Sequence, residues 1–218
     1  MLRNRFIHRT QSSIKPVSFV KMNTALLLKN IATHISLTNE EEACFISFLQ
    51  YRKIKKKHFL YQEGEVNKFQ AFVVEGCLRS YSIDKNGFEH VLQFAPPGWW
   101  IGDMQSIITQ QPGTLYIDAI DDTTIILLFR SDLEKIYNAI PKFERFFRIL
   151  AENALATYQH RLIGNLSLPA KERYENFCQL YPSLIQSLSQ KQIAAYIGVT
   201  PEFLSKMLNQ GDFKNKIH

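Results

Sequence analysis

The sequence predicts an α+β protein: an N-terminal antiparallel β-roll, jelly-roll-like and flanked by helices, then a long helix, then a C-terminal helix-turn-helix in the form of a reduced winged helix. Three patterns support this fold class. Within residues 57–129, β-branched and aromatic residues dominate and glycines recur every 11 or 12 residues, which is typical of short antiparallel strands. Residues 142–165 have continuous helical periodicity. Residues 193–206, IAAYIGVTPEFLSK, hold two short helical patterns around a glycine and a proline.

Length and cysteine content limit the class of protein. A chain of 218 residues is long enough for one large or two modest domains, each with its own core. The cysteines Cys44, Cys77 and Cys178 are far apart and form no Cys-x-x-Cys pair, so neither a disulfide framework nor a metal site is predicted. No apolar run of about 18 residues occurs. We therefore expect a soluble, cytoplasmic protein without a membrane partner.

The positive charge lies mostly at the amino terminus. The net charge is +6, and residues 1–21 carry five basic and no acidic side chains. We expect this segment to be a disordered basic tail, with Met22 as an alternative start. Binding of DNA phosphates by the tail is the less favoured interpretation. The rest of the chain is close to neutral, so charge alone does not predict nucleic-acid binding.

Capping and turn residues divide the chain into segments. Thr38 is expected to cap a helix, and Asn86-Gly87 marks a hairpin because both residues tolerate positive φ. Ser131 is expected to cap a short helix that stops before Pro141. The predicted segments are the tail 1–21, the β-roll sensor domain 22–141, the dimerisation helix and linker 142–166, and the helix-turn-helix domain 167–218.

The long helix has an apolar seam that favours dimerisation. Apolar positions repeat at alternating steps of three and four until Gly164 ends the helix, and Ser167 with Pro169 starts the next one. We predict a homodimer through this seam. Packing of the same face on the chain's own β-roll is the alternative that periodicity leaves open. The predicted seam residues are Phe143, Phe146, Leu150, Ala154 and Tyr158.

The C-terminal part carries the signals of a helix-turn-helix. Ser189 and Gln192 are spaced for a capping box, and Gly198 ends the first helix. Thr200 then caps a second helix whose first position is Pro201. The apolar positions of both helices face each other, which leaves polar side chains of the second helix free to meet a major groove. An ordinary helical hairpin within a core is the alternative.

The order of these parts resembles that of the Crp/Fnr family of bacterial transcription regulators, which join a cyclic-nucleotide-binding-type β-roll to a winged helix through a dimerisation helix. The resemblance covers about residues 25–210. It implies a homodimer that binds a palindromic double-stranded DNA operator, with RNA polymerase as a further partner. The motifs that carry it are YQEGE at 61–65, FVVEGCLRSYSIDKNG at 72–87, PPGWWIGD at 96–103 and IAAYIGVTPEFLSK at 193–206.

The resemblance implies an effector pocket in the roll, but not the usual ligand. In the family's cyclic-nucleotide binders a Gly-Glu pair meets the ribose, and an Arg-Ser pair clamps the cyclic phosphate. The counterparts here are Gly102-Asp103 and a position near Thr114-Leu115, and residues 101–129 contain no arginine. A phosphate needs a charge-assisted donor to replace its lost hydration. We therefore expect no cyclic AMP bound in the usual manner, interpret Asp103 as a turn residue, and leave the effector unknown.

No cofactor of the family's other branches is predicted. An oxygen-sensing iron–sulfur cluster needs four cysteine thiolates, whereas the chain has three cysteines. Haem would need histidine or cysteine ligands, and His90 and Cys77 are the candidates in the roll. We favour a structural role for both, because a lone residue of either type in a strand is commonly structural.

The resemblance transfers DNA contacts to the first two turns of the second helix. We expect Glu202 to accept a hydrogen bond from cytosine N4 and Lys206 to donate to guanine or to a phosphate. Pro201 replaces a residue that commonly donates hydrogen bonds, and residues 209–218 are too short for a strong wing. Ser205 and Lys191 are expected at phosphates. The candidate DNA-binding residues are Lys191, Thr200, Pro201, Glu202, Ser205 and Lys206.

Two other functions are the alternatives. A cupin-like metal enzyme needs several converging histidine and carboxylate ligands. Only His58 and His90 lie in or beside the roll, and the sequence has no His-x-His pair. We therefore expect no enzyme activity. A ligand-binding roll without DNA activity would keep the dimer and lose the groove contacts.

Overall fold

Sixteen helices and strands follow one another through residues 23–209, the part of the chain that the computed structural model describes. The predicted basic tail and the predicted weak wing after Asn209 lie outside these residues. The helices are α1 (Ala25–Ala32), α2 (Asn39–Ser47), α3 (Met104–Thr109), α4 (Arg130–Ala139), α5 (Lys142–Ser167), α6 (Ala170–Leu180), α7 (Gln190–Ile197) and α8 (Pro201–Asn209). The strands are β1 (Gln50–Ile54), β2 (Phe59–Tyr61), β3 (Phe69–Glu75), β4 (Leu78–Ile83), β5 (Glu89–Ala95), β6 (Trp100–Ile101), β7 (Tyr116–Ala119) and β8 (Thr123–Phe129).

The strands form two four-stranded sheets. Their orders are β1-β8-β3-β6 and β2-β7-β4-β5, and every pair is antiparallel. Apolar side chains from both sheets, among them Leu78, Ile117 and Ile125, are fully buried in one cluster. Alternating inward and outward side chains on antiparallel strands produce this arrangement. The predicted α+β fold with an antiparallel roll is confirmed.

The β4–β5 hairpin occurs where the sequence predicts it, but with a wider loop. Gly87 has φ +81°, whereas Asn86 does not use the positive region. The Asp84 carboxylate accepts hydrogen bonds from the backbone amides of Asn86 and Phe88 at 2.8 and 3.0 Å. This side-chain turn holds the loop, so only the glycine needs the left-handed conformation.

The cap predictions succeed at one helix and fail at another. Thr38 caps α2 as predicted, and Glu41 completes a capping box. Ser131 does not cap α4, so that prediction is wrong. The helix follows β8 directly, with Phe129 in the cap position and no side-chain hydrogen bond there.

The long helix passes through Gly164 and ends at Ser167. The prediction that Gly164 ends it is wrong, because a glycine inside a helix costs only about 1 kcal/mol relative to alanine. The stop comes from Pro169, which disfavours helical geometry in the residue before it. Leu168 accordingly has ψ 144°, and Ser167 belongs to the end of α5 rather than to the start of α6.

Part of the predicted dimer seam packs inside the chain. Phe143 and Phe146 are fully buried in a cluster with α1, α2 and the first sheet, and the Phe143 ring stacks on Phe45 with centroids 4.1 Å apart. Leu150 is half-buried against the same cluster. These residues thus correct the seam prediction: the first turns of α5 contact the chain's own core, as the alternative interpretation held.

The helix-turn-helix segment does not stand apart from the roll. Side chains of β4 and β5 share one buried cluster with α6, α7 and α8. Phe94 of β5 is fully buried, and its ring centroid lies 5.6 Å from that of Tyr181 and 5.7 Å from that of Tyr196. The helices α6, α7 and α8 therefore pack on the outer face of the second sheet.

Candidate DNA-binding surface and sensor region

The turn between α7 and α8 is fixed by local hydrogen bonds. Ser189 and Gln192 form the predicted capping box at the start of α7. Gly198 ends that helix at φ +72°, a conformation that favours glycine, and its N–H donates to the carbonyl of Ala194. The Thr200 hydroxyl accepts a hydrogen bond from the Phe203 amide at 3.2 Å and so caps α8. Two helices joined by a tight turn are thus present where the sequence predicts them.

The two helices meet through small and apolar side chains. Ala194, Ile197 and Leu204 are at most 1% exposed. Because Leu204 is the buried anchor of α8, the opposite side of this helix faces outward. Glu202 and Lys206, one turn apart, are exposed there together with Thr200, while Pro201 and Ser205 are half-buried.

Lys191 lies away from this row. It stands in the first turn of α7, and its Nζ is 3.7 Å from a carboxylate oxygen of Glu89 on β5. The structure therefore brings together five of the six candidate DNA-binding residues on and beside α8, and places the sixth at the edge of the roll. The lysine side chain is itself 70% exposed, so this ion pair contributes little to stability.

Phe203 is a surface residue that the sequence reasoning missed. Its side chain is 51% exposed on α8. The signal was available, because the buried Leu204 and the half-buried Met207 and Leu208 define the apolar stripe, and Phe203 lies about 100° to one side of it. A large exposed aromatic next to Glu202 adds an apolar contact surface to a polar row.

The sensor region contains a helix that the sequence reasoning did not predict. Asp103 caps this helix, α3, by accepting a hydrogen bond from the Ser106 amide at 3.1 Å. The side chain is buried, and one carboxylate oxygen has no hydrogen-bond partner. Asp103 therefore holds the start of α3 through its side chain.

Gly113, the residue before the position expected for the phosphate-clamping pair, has no room for a side chain. Gly113 packs so tightly that a Cβ would lie 2.2 Å from Asp103 Oδ2 and 2.2 Å from the Tyr61 hydroxyl. Burial raises the pKa of Tyr61, and the Asp103 carboxylate raises it further. Thr114 is exposed and Leu115 half-buried. Gly102 is also confined, with a Cβ position 3.0 Å from Ile107.

Cys77 and His90, the candidate haem ligands of the roll, lie in different surroundings, buried and exposed respectively. Within them, no group of three or more histidine, cysteine or acidic side chains could hold a metal ion. Burial raises the pKa of the Cys77 thiol to about 12, which disfavours the thiolate that binds metals. The His90 ring is exposed on the hairpin, with Nε2 3.0 Å from an Asp84 carboxylate oxygen.

The second half of α5 carries an apolar face that the chain leaves exposed. Leu155 and Leu162, seven residues apart, are each 59% exposed, and Leu166 is 80% exposed. Ala154 and Tyr158 of the predicted seam are exposed in the same stretch. A large apolar surface of this kind marks an interaction site.

Comparison with known proteins agrees with this architecture. Residues 51–139 match the model of the cyclic nucleotide-binding domain family. Regulatory protein HlyX of Actinobacillus pleuropneumoniae is 19% identical over 195 residues, which span 84% of this chain and 80% of HlyX.

Solved structures show the same fold along most of the chain. FixK2 from Bradyrhizobium japonicum superposes with a TM-score of 0.64 at 24% identity, covering 74% of this chain and 83% of FixK2. The c-di-GMP responsive global regulator CLP of Xanthomonas campestris gives a TM-score of 0.64 at 12% identity, covering 78% of this chain and 90% of CLP. The chain has the Crp/Fnr fold that the resemblance implies. Within residues 23–209, none of the helices has the length and apolar character needed to cross a bilayer.

Cyclic AMP is expected to give no saturable calorimetric signal at micromolar concentration. Residues 101–129 supply no basic side chain for the phosphate, and the buried Asp103 carboxylate packs against Gly113, next to the Thr114-Leu115 position expected for the clamping pair. Micromolar binding by the parent chain would contradict this account of the pocket.

Proposed function

We propose that this chain is a sequence-specific, homodimeric DNA-binding transcription regulator of the Crp/Fnr type, which acts in the cytoplasm and is not an enzyme. One observation carries the proposal: α8 presents Glu202, Phe203 and Lys206 on its exposed side, while Leu204 anchors the helix from behind. A helix held in this way behind a tight turn has the form that enters a major groove.

The exposed side chains of α8 have complementary chemistry for base edges. Glu202 accepts from cytosine N4, Lys206 donates to guanine O6 and N7, and Phe203 offers an apolar surface to a thymine methyl group. Thr200 at the helix start, where the helix dipole also favours an anion, would contact a phosphate oxygen, and Ser205 in the second turn would contact another. Pro201 contributes no backbone donor.

Dimerisation through the second half of α5 supports groove reading by two copies of α8. Leu155 and Leu162 lie one heptad apart, and both are exposed in the single chain. A two-fold axis along this face relates the two α8 helices, which then enter successive major grooves about 34 Å apart on a palindromic site. RNA polymerase is a further partner of the DNA-bound dimer under this proposal.

Arg161 supports a coupling between the roll and the DNA-binding helices. Its guanidinium donates to the carbonyls of Val91 and Leu92 on β5 and of Tyr196 on α7. It also lies 3.9 Å from the centre of the Tyr196 ring. One side chain of the long helix therefore binds the roll and the helix-turn-helix together, so a shift of β5 would move α7.

The variant Glu202→Ala tests the function at the reading helix. We expect the specific DNA affinity to fall by about 1–3 kcal/mol and base preference to relax at one position in each half-site. Gel shifts with the chain's own promoter region measure the first effect, and substituted duplexes measure the second. Glu172→Ala is the matched control, since Glu172 is also an exposed acid in a helix first turn of the same region.

Circular dichroism must show that both variants are folded, because Glu202 also interacts favourably with the start of α8. Equal losses in both variants would mean that helix stability, not base reading, controls the affinity. Unchanged affinity and preference in Glu202→Ala would contradict its proposed role.

A further inference from the structure

A cleft of about 490 Å³ opens between α5, α6 and α7. Its volume falls in the range of small-molecule sites, about 300–1,000 Å³. The cleft contains none of the α8 residues that form the DNA-binding row. The lining residues used below are Thr157, His160, Arg161, Gly164, Arg173 and Phe177.

The charged side chains that line the cleft are all basic. The lining includes His160, Arg161 and Arg173, and it contains no aspartate or glutamate. The Nε of Arg173 is buried without a hydrogen-bond partner, and no carboxylate within residues 23–209 forms an ion pair with it. The Nε of Arg161 is buried and unpaired in the same way. Buried donors of this kind favour an acceptor beside them.

The rest of the cleft is apolar and amide. Phe177 and Ile197 are each 1% exposed and form apolar wall, and the Tyr196 ring adds to it. Asn165 and Asn176 supply amide groups. Basic side chains for recognition and an apolar wall for burial are together the usual composition of a site for an organic anion.

A dimer would leave this cleft open. At about 100° per residue, the exposed leucines Leu155 and Leu162 lie on one face of α5, whereas His160 and Gly164 lie about half a turn away. The face that a partner covers and the face that lines the cleft are thus opposite sides of one helix. The cleft is also distinct from the Asp103 region of the roll, because no roll residue lines it.

We propose that this cleft binds a small organic anion, with a carboxylate or phosphate group paired to Arg173 and an apolar or aromatic body against Phe177. The ligand would contact α5 on one side of the Leu168 break and α6 and α7 on the other. Binding would therefore shift the helix-turn-helix relative to the long helix. This last consequence rests on the proposed function, whereas the binding itself does not.

Calorimetry on the full chain tests the site with four probes: phenyl phosphate, benzoate, inorganic phosphate and benzyl alcohol. We expect saturable binding of phenyl phosphate or benzoate, weaker binding of inorganic phosphate, and none of benzyl alcohol. The better aromatic anion identifies the charged group. Arg173→Gln should weaken that binding at least about tenfold, because it removes a charge-assisted donor.

Thr157→Phe provides a second variant that keeps every basic group. Thr157 is exposed on the cleft face of α5, so the larger side chain should fill the cleft and abolish binding. Arg145→Gln, an exposed arginine of α5 outside the cleft, is the control and should bind like the parent. Lack of saturable binding of both aromatic anions at millimolar concentration, or undiminished binding by both folded cleft variants, would overturn the site.

A gel shift in the presence of the aromatic anion that binds tests the effect on DNA affinity separately from anion binding itself. We expect at least a severalfold change in DNA affinity for the parent and none for Arg173→Gln. Anion binding without any change in the affinity of a chain that does bind DNA would overturn the regulatory consequence. A chain that binds the anion but no DNA would support the site and contradict the proposed function.

Discussion

Replacing Phe94 with alanine is expected to lower the free energy of unfolding by about 3–5 kcal/mol and to loosen the helix-turn-helix from the roll. Phe94 is fully buried on β5, among the rings of Phe177, Tyr181 and Tyr196. Truncation of a buried phenylalanine removes its burial energy and leaves a cavity. This cavity would lie between the sheet and the C-terminal helices. The substitution would therefore weaken the contact between them.

Urea unfolding measures the stability change, and limited proteolysis around Leu168 measures the loosening. Phe45→Ala is the matched control, because Phe45 is equally buried but belongs to the cluster beneath the start of α5. We expect a similar loss of stability in the control and faster cleavage near Leu168 only in Phe94→Ala. Equal cleavage rates in the two variants would contradict the claim that Phe94 specifically joins β5 to the C-terminal helices.

Leu162→Glu is expected to convert the proposed dimer into monomers. Leu162 is 59% exposed in the single chain, and burial of one leucine at an interface contributes about 1.5–3 kcal/mol. Two-fold symmetry places the substitution twice in each interface, so the combined loss is about 3–6 kcal/mol, or more than about a hundredfold in the dissociation constant. The two introduced carboxylates would also be costly to bury in the interface.

Sedimentation at micromolar concentration gives the oligomeric state directly. Asn153→Glu introduces the same charge at an exposed position on the opposite side of α5 and should leave the dimer intact. A folded Leu162→Glu variant that stays dimeric would move the interface elsewhere. A parent chain that is monomeric at these concentrations would contradict dimerisation through α5.

Local signals in the sequence were sufficient for the turns and for the helix-turn-helix. Ser189 with Gln192, the glycine at 198 and Thr200 each act on backbone within three or four residues of themselves, so the sequence neighbourhood contains the full cause. Asp103 gives a similar local signal, for a helix that was not predicted. Its side chain caps α3, and an aspartate before a short apolar segment was available as a signal.

Contacts between distant segments could not be predicted in this way. The periodicity of α5 revealed an apolar face but not its partner, and Phe143 and Phe146 proved to pack in the chain's own core. Arg161 binds carbonyls on β5 about 70 residues earlier in the chain, and no spacing rule marks such a contact. The need for a glycine at position 113 likewise arises only in the folded chain, where Asp103 and Tyr61 pack against it.

Selection from a random duplex library tests the central claim, that α8 reads DNA in a symmetric dimer. The folded parent chain should enrich an inverted repeat whose half-site centres are about 34 Å apart, close to one helical turn. The double variant Glu202→Ala, Lys206→Ala should lose that enrichment while remaining dimeric and folded. If the dimeric parent enriches no sequence, or if the double variant enriches the same repeat as strongly, α8 is not the reader.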